Sequence, residues 1–176
     1  IIENKKLTNY NAQNYKEGYL KIGTLIVTYI YHKDKIKLDG KQSYPCYLYG
    51  YGSYGIIDDP SFDKYTMSLV DRGYLYCIAN IRGSKFYGPK WYHEGKFLKK
   101  KNTFKDFQTI AQFLIHQNYT SSDKLVIEGG SAGGLLIASC INMNPSLYNV
   151  AVLRVPYVDC LTTMLNPDLP LTIGEY

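Results

Sequence analysis

The residues able to do chemistry gather around Ser131, which sits in Gly129-Gly130-Ser131-Ala132-Gly133. Glycine two places before and two places after a serine leaves room for a sharp strand-to-helix turn, where side chains would strike the neighbouring strand and helix. The serine hydroxyl then stands clear of the sheet as a nucleophile. The N–H of Ala132, at the mouth of the following helix, is placed to bind a developing oxyanion. A plain tight connection or a phosphate loop would use the same glycines and leave Ser131 incidental. The readings separate on context, because a nucleophile needs a strand before it and a helix after it. The sequence predicts both: a short strand over Lys124 to Glu128, and an apolar helix over Ala132 to Met143 stopped by Asn144-Pro145.

A serine of this kind needs a base, and the only histidines, His32, His93 and His116, all precede it. In the strand-elbow-helix layout the order is serine, then acid, then histidine, so the three histidines read as loop or surface residues. Asp159 and Asp168 follow Ser131 too closely to be assigned as the acid. The acid and base are therefore expected beyond Tyr176.

The elements that must position Ser131 can be read from hydrophobic patterning. Residues 1–17 are polar and unpatterned, and Leu20 to Tyr31, rich in β-branched and aromatic residues, predicts one strand. A loop over His32 to Ser43 leads to a second strand at Pro45 to Tyr49. After the glycine-rich turn Gly50 to Gly55, the spacing of Phe62, Tyr65, Thr66 and Leu69 predicts one face of a helix, stopped by Arg72-Gly73. Tyr74 to Ile81 is a continuous apolar run, as expected of a parallel strand covered on both faces. A long loop over Arg82 to Asn102 carries the only tryptophan. Thr103 and Asp106 then resemble a helix N-cap arrangement, with Phe104, Phe107, Ile110, Ala111 and Leu114 marking the helix to about Asn118. With a last strand at Val150 to Val155, strands and helices alternate, which predicts an α/β architecture with a mostly parallel sheet and helices on both faces.

Composition narrows the function. Hydrophobic residues make up 45% and charged residues 20% of 176, ordinary for one globular domain. No stretch approaches a membrane span, and Ile1 to Lys6 lacks a signal-peptide layout, so the reading is a soluble, cytoplasmic chain with no membrane partner. Cys46, Cys77, Cys140 and Cys160 form no C-x-x-C pair and read as buried free thiols. A net charge of +5 arises in a Lys-, Asn-, Ile- and Tyr-rich chain and does not imply nucleic acid. The dense run Lys99-Lys100-Lys101 reads as a solvated segment before a helix.

Longer blocks are recognisable: Tyr49 to Gly55, Asp71-Arg72-Gly73, Trp91 to Phe104, Gly129 to Gly134, and Pro170 to Glu175. From about Asn14 onward they resemble the oligopeptidase B group of the prolyl oligopeptidase family of serine peptidases. The resemblance implies an α/β-hydrolase fold, truncated here, without the β-propeller that precedes it in that family. Residues 1–19 would end a linker, and 20–176 would form the N-terminal part of the peptidase domain. It implies Ser131 as nucleophile, the Tyr51 hydroxyl and Ala132 N–H as oxyanion hole, and no metal or organic cofactor. It implies cleavage of short basic peptides after Lys or Arg, with Glu175 on the position that binds the basic P1 side chain through a carboxylate. Asp59 matches one of two acidic positions tied to a basic P2 residue, but the other is Ser61. Asp59 reads equally as a solvated turn residue beside Pro60. Ser84-Lys85-Phe86-Tyr87 departs from a glycine-rich family segment, and Arg154, if aimed at the pocket, would weaken a cationic P1 site.

Within the family the nearest alternative is cleavage after proline, against which Glu175 argues. A non-catalytic fragment is a further reading, since residues 1–176 alone, without acid and histidine, are expected to have negligible peptidase activity and poor solubility. From another class, Gly50-Tyr51-Gly52-Ser53-Tyr54-Gly55 satisfies the G-x-G-x-x-G of a dinucleotide-binding turn. Asp58-Asp59-Pro60 speaks against it, putting negative charge where a helix and pyrophosphate should be.

Overall fold

The computed structural model describes residue 8 and residues 10–166, 168–169 and 174–176. Among them, β1 (Tyr15–Ile22), β2 (Leu25–His32), β3 (Cys46–Tyr49), β4 (Leu75–Asn80), β5 (Leu125–Gly130) and β6 (Val150–Arg154) form one sheet in the order β1-β2-β4-β3-β5-β6. The helices are α1 (Lys64–Asp71), α2 (Pro89–His93), α3 (Lys101–His116), α4 (Ala132–Met143) and α5 (Cys160–Met164). β1 and β2 are an antiparallel hairpin, and β2 runs antiparallel to β4. From β4 through β3 and β5 to β6, neighbours are parallel.

Connectivity decides where a site can form. The chain goes from β3 through α1 to β4 on one side, then through α3 to β5 on the other side of β3. This reversal opens a crevice beyond the carboxyl ends of β3 and β5, the place where open α/β sheets take their ligands. Tyr51 leaves β3 there, and Ser131 leaves β5.

The core lies on the face covered by α3 and α4. Leu48, Cys77, Ala79 and Ile127 from the sheet meet Phe107, Ile110, Leu114, Leu136 and Ile137 from the helices, all buried in one cluster. Burying each of the larger side chains is worth roughly 2 kcal/mol, which fixes α3 and α4 against the sheet. α1 packs on the opposite face, against β2 and β4.

The expected α/β architecture is present, with local corrections. The single strand expected over Leu20 to Tyr31 is a hairpin: Gly23, at φ +60, turns the chain, and β1 begins at Tyr15, inside the stretch read as unpatterned. β1 is a one-sided edge strand with alternating exposure, so its polar half masked it. In α1 the buried side chains are Met67 and Val70, while Phe62 and Tyr65 are exposed, because Asp63 caps the helix at the Thr66 N–H and sets a different phase. The loop after β4 contains the short helix α2 and a 3-10 turn at Phe97–Lys99. α3 starts at Lys101 without a side-chain cap; Thr103 donates instead to the Gly95 carbonyl, and Asp106 accepts from Arg82. Lys100, expected in solvent, is 7% exposed.

Candidate active site

The elbow at Ser131 is a backbone construction. Ser131 has φ 52 and ψ −116, a conformation that L-residues seldom adopt and that persists only where surrounding packing dictates it. Its N–H donates to the Arg154 carbonyl, and its own carbonyl accepts from Tyr157 N–H, each at 2.9 Å. A Cβ on Gly129 would lie 2.2 Å from the Gly133 carbonyl oxygen, and one on Gly133 would lie 2.7 Å from the Gly50 carbonyl oxygen. Both predicted elbow glycines are thus required by contact. The serine itself is exposed at the sheet edge, and α4 begins directly after it.

Tyr51 and Ala132 flank this serine. The Tyr51 phenol is half-buried and within interaction range of the Ser131 side chain. Burial raises its pKa above the ordinary value, the charges of Glu175 and Asp58 add to this, and the Ser131 side chain opposes it. A neutral phenol is the form that donates. Among the described residues the Ala132 N–H has no hydrogen-bond acceptor, which leaves it free for an incoming oxygen.

The loop carrying Tyr51 is pinned from behind. A Cβ on Gly83 would fall 1.9 Å from the Gly52 carbonyl oxygen, so the two backbone segments touch. The Gly55 N–H donates to the Gly83 carbonyl at 2.9 Å, and Lys85 N–H returns to the Gly55 carbonyl at 3.2 Å. Ser84-Lys85 therefore forms part of this clamp. Arg82 is locked to Asp106 of α3 by a forked ion pair, its backbone N–H adding a third bond at 3.1 Å.

Glu175 is fully buried. Its Oε2 accepts from the Tyr92 hydroxyl at 2.9 Å, and its backbone carbonyl accepts from Phe97 N–H at 3.1 Å. Burial, and then this hydrogen bond, pushes the Tyr92 phenol up to about 12. Oε1 has no hydrogen-bond partner, and the Lys100 ammonium stands 3.5 Å away. Residues 170–173 of the motif containing Glu175 lie outside the described residues.

Asp59 is exposed and lines a 680 Å³ cavity between α1 and the β1–β2 hairpin that Ser131, Tyr51 and Glu175 do not line. Its neighbour Asp58 is the more buried of the two, and desolvation raises its carboxyl to about 6. Arg154 turns its guanidinium to Glu128 rather than to Glu175. His32 ends β2, antiparallel to β4, and His116 ends α3 just before β5 begins, so both lie at the edge of the sheet opposite Ser131. His93 ends α2, exposed, with no hydrogen bond to Ser131 among the described residues. Asp159 caps α5, and the Asp168 side chain is exposed. No group of three or more metal-binding side chains occurs among the described residues. Nor do they include a helix long and apolar enough to cross a membrane. The glycine turn Gly50 to Gly55 has no helix directly after it, since α1 starts at Lys64, and the dinucleotide-binding reading lacks its anion site.

Strand order, crevice and elbow define an α/β-hydrolase domain. Residues 60–176 match the model of the prolyl oligopeptidase family, and the chain belongs to that family. It is 41% identical over 99% of its length to dipeptidyl aminopeptidase BI of Pseudoxanthomonas mexicana, covering 25% of that protein. It is 48% identical over 75% of its length to protease 2 of Moraxella lacunata, covering 19% of that protein. Oligopeptidase B from Leishmania major superimposes with a TM-score of 0.85 at 43% identity, over 95% of this chain and 24% of that one. The chain spans at most about a quarter of the length of these relatives.

Proposed function

We propose that the full-length protein is a serine endopeptidase that hydrolyses short peptides after Lys or Arg. The observation that carries this reading is the Ser131 elbow, with the Tyr51 phenol in interaction range of its side chain and a free N–H on the next residue. Ser131 Oγ attacks the scissile carbonyl, and Tyr51 and Ala132 hold the oxygen as it becomes negative. The carbon–nitrogen bond breaks, the amine leaves with a proton, and water releases the acyl group from the serine. The acid and histidine that move these protons come from residues outside these 176, as does the propeller that limits substrates to short peptides.

Specificity for a basic P1 residue rests on Glu175, whose buried Oε1 lacks a donor. A guanidinium would satisfy it; a proline ring would leave that oxygen without a hydrogen bond. Asp59 is proposed to act at P2 without the second carboxylate that Ser61 replaces. A reducing, cytoplasmic setting is consistent with four free cysteines. A dipeptidyl aminopeptidase activity is the second reading, favoured by the Pseudoxanthomonas relative.

The test is fluorophosphonate labelling of the full-length protein against Ser131→Ala, with peptides ending in Arg or Pro at P1, N-terminally blocked or free. Labelling lost in Ser131→Ala, with cleavage of blocked Arg peptides, is the expected result. Labelling that survives in Ser131→Ala refutes the nucleophile. Cleavage restricted to free N-termini selects the aminopeptidase.

A further inference from the structure

A single buried ammonium joins the two halves of the site. Lys100 Nζ donates to the Gly52 carbonyl at 2.8 Å and to the Ser53 hydroxyl, and lies 3.5 Å from Glu175 Oε1. Gly52 and Ser53 directly follow Tyr51, so the cation bridges the loop that carries the oxyanion donor and the carboxylate proposed to bind P1. A lysine is seldom buried unless paired, and this pairing is divided among three acceptors. Its one charged partner, Glu175, is the most distant of the three, and Oε1 accepts no hydrogen bond.

We propose that Lys100 is a positioning residue that couples occupation of Glu175 by a substrate cation to the placement of Tyr51. The inference rests on Glu175 as the P1 carboxylate. With no cation bound, the ammonium is shared: it donates to Gly52 and Ser53 while the Glu175 carboxylate, 3.5 Å away, holds part of its charge. A guanidinium on Oε1 neutralises that carboxylate, and the ammonium then rests on Gly52 and Ser53, holding the loop for the transition state. The binding energy of the P1 charge thereby appears in kcat rather than in KM. A neutral P1 side chain leaves the ammonium shared.

The surroundings fit a group sensitive to charge. Among the described residues Glu175 is the only carboxylate at Lys100, and the Tyr176 ring centroid is 5.3 Å from Nζ. The Tyr176 hydroxyl meets Ser53 at 3.3 Å, with Tyr54 stacked edge-on against the same ring. Lys96 approaches through the Tyr92 hydroxyl at 3.3 Å and the Gly174 carbonyl at 3.2 Å. Burial lowers the Lys100 pKa to about 8, with Glu175 opposing.

The experiment compares kcat and KM of the full-length protein on peptides with Arg or norleucine at P1, for wild type, Lys100→Met, Lys100→Arg, Glu175→Gln and the double variant Lys100→Met/Glu175→Gln. Lys100→Met is expected to lower kcat on the Arg peptide about tenfold more than on the norleucine peptide, a usual size for coupling between sites, with KM nearly unchanged. The alkaline limb of kcat near pH 8 disappears in Lys100→Met and moves upward in Lys100→Arg. An equal loss on both peptides, or an unchanged kcat ratio, overturns the proposal. Arg preference that survives in Glu175→Gln removes the P1 assignment instead, a result read without Lys100. Should Lys100→Met fail to fold, the double variant leaves no buried charge unpaired. It must then match Glu175→Gln on both peptides, and a further fall in kcat overturns the coupling.

Discussion

The elbow and the shelf behind Tyr51 solve the same problem by different means. At Ser131 the geometry comes from backbone: two glycines without room for a Cβ, two main-chain hydrogen bonds, and a helix that begins at the next residue. Behind Tyr51, glycine contacts are supplemented by ionic side chains drawn from distant segments, Arg82 with Asp106 and Lys100 with Glu175. A backbone device is rigid and tolerates no added atom. An ionic device can be loosened or redistributed by a charged ligand, because its parts are exchangeable for substrate groups. On the proposed mechanism, the invariant step, attack, falls to one region and the selective step, recognition, to the other.

That contrast can be tested from the strongest effect to the weakest. Gly129→Ala puts a methyl group 2.2 Å from the Gly133 oxygen, and is expected to cost about 4 kcal/mol in denaturant unfolding. A loss below 1 kcal/mol would mean that the elbow yields. Tyr51→Phe is expected to lower kcat roughly 10²- to 10³-fold with an unchanged melting temperature. An unaffected kcat would remove Tyr51 from the oxyanion hole. Asp106→Asn leaves Arg82 without its counter-charge and is expected to cost about 2 kcal/mol, less than a fully buried pair because Arg82 keeps 28% of its side-chain surface.

Asp58 sharpens the comparison through pH. Its carboxyl is raised from 3.8 to about 6 by burial. Between those values the folded protein holds a proton that the unfolded chain has released, so its contribution to stability falls as pH rises through that window. Asp58→Asn is expected to stabilise the protein by about 1 kcal/mol at pH 7 and not at all below pH ~4, measured by thermal unfolding across pH. Arg154→Gln, which breaks a pair whose arginine is 66% exposed, is expected to change stability by less than ~0.5 kcal/mol.

What the sequence disclosed follows the same division. The elbow was legible because Gly129, Ser131 and Gly133 stand within five residues, and local contacts dictate their types. β4, β5, β6 and α4 were legible from continuous apolar runs. The β1–β2 hairpin was not, since β1 alternates polar and apolar residues at an edge and its turn is a lone Gly23-Thr24. The burial of Lys100 was hidden by its basic neighbours. A signal existed nonetheless: Lys100, Thr103, Phe107, Ile110 and Leu114 recur at steps of three and four, and all five are buried. The Arg82–Asp106 and Arg154–Glu128 pairs join residues far apart in the chain, where no local pattern records them.

Ser131 occupies a backbone conformation in which glycine would rest more easily, at φ 52. The position proposed to perform the chemistry is thus one where selection for stability and selection for turnover pull in opposite directions. Ser131→Gly should therefore outlast Ser131→Ala on heating while both are equally inert. A population relieved of the need to hydrolyse would drift toward glycine there, leaving a sturdier protein that had forgotten its reaction.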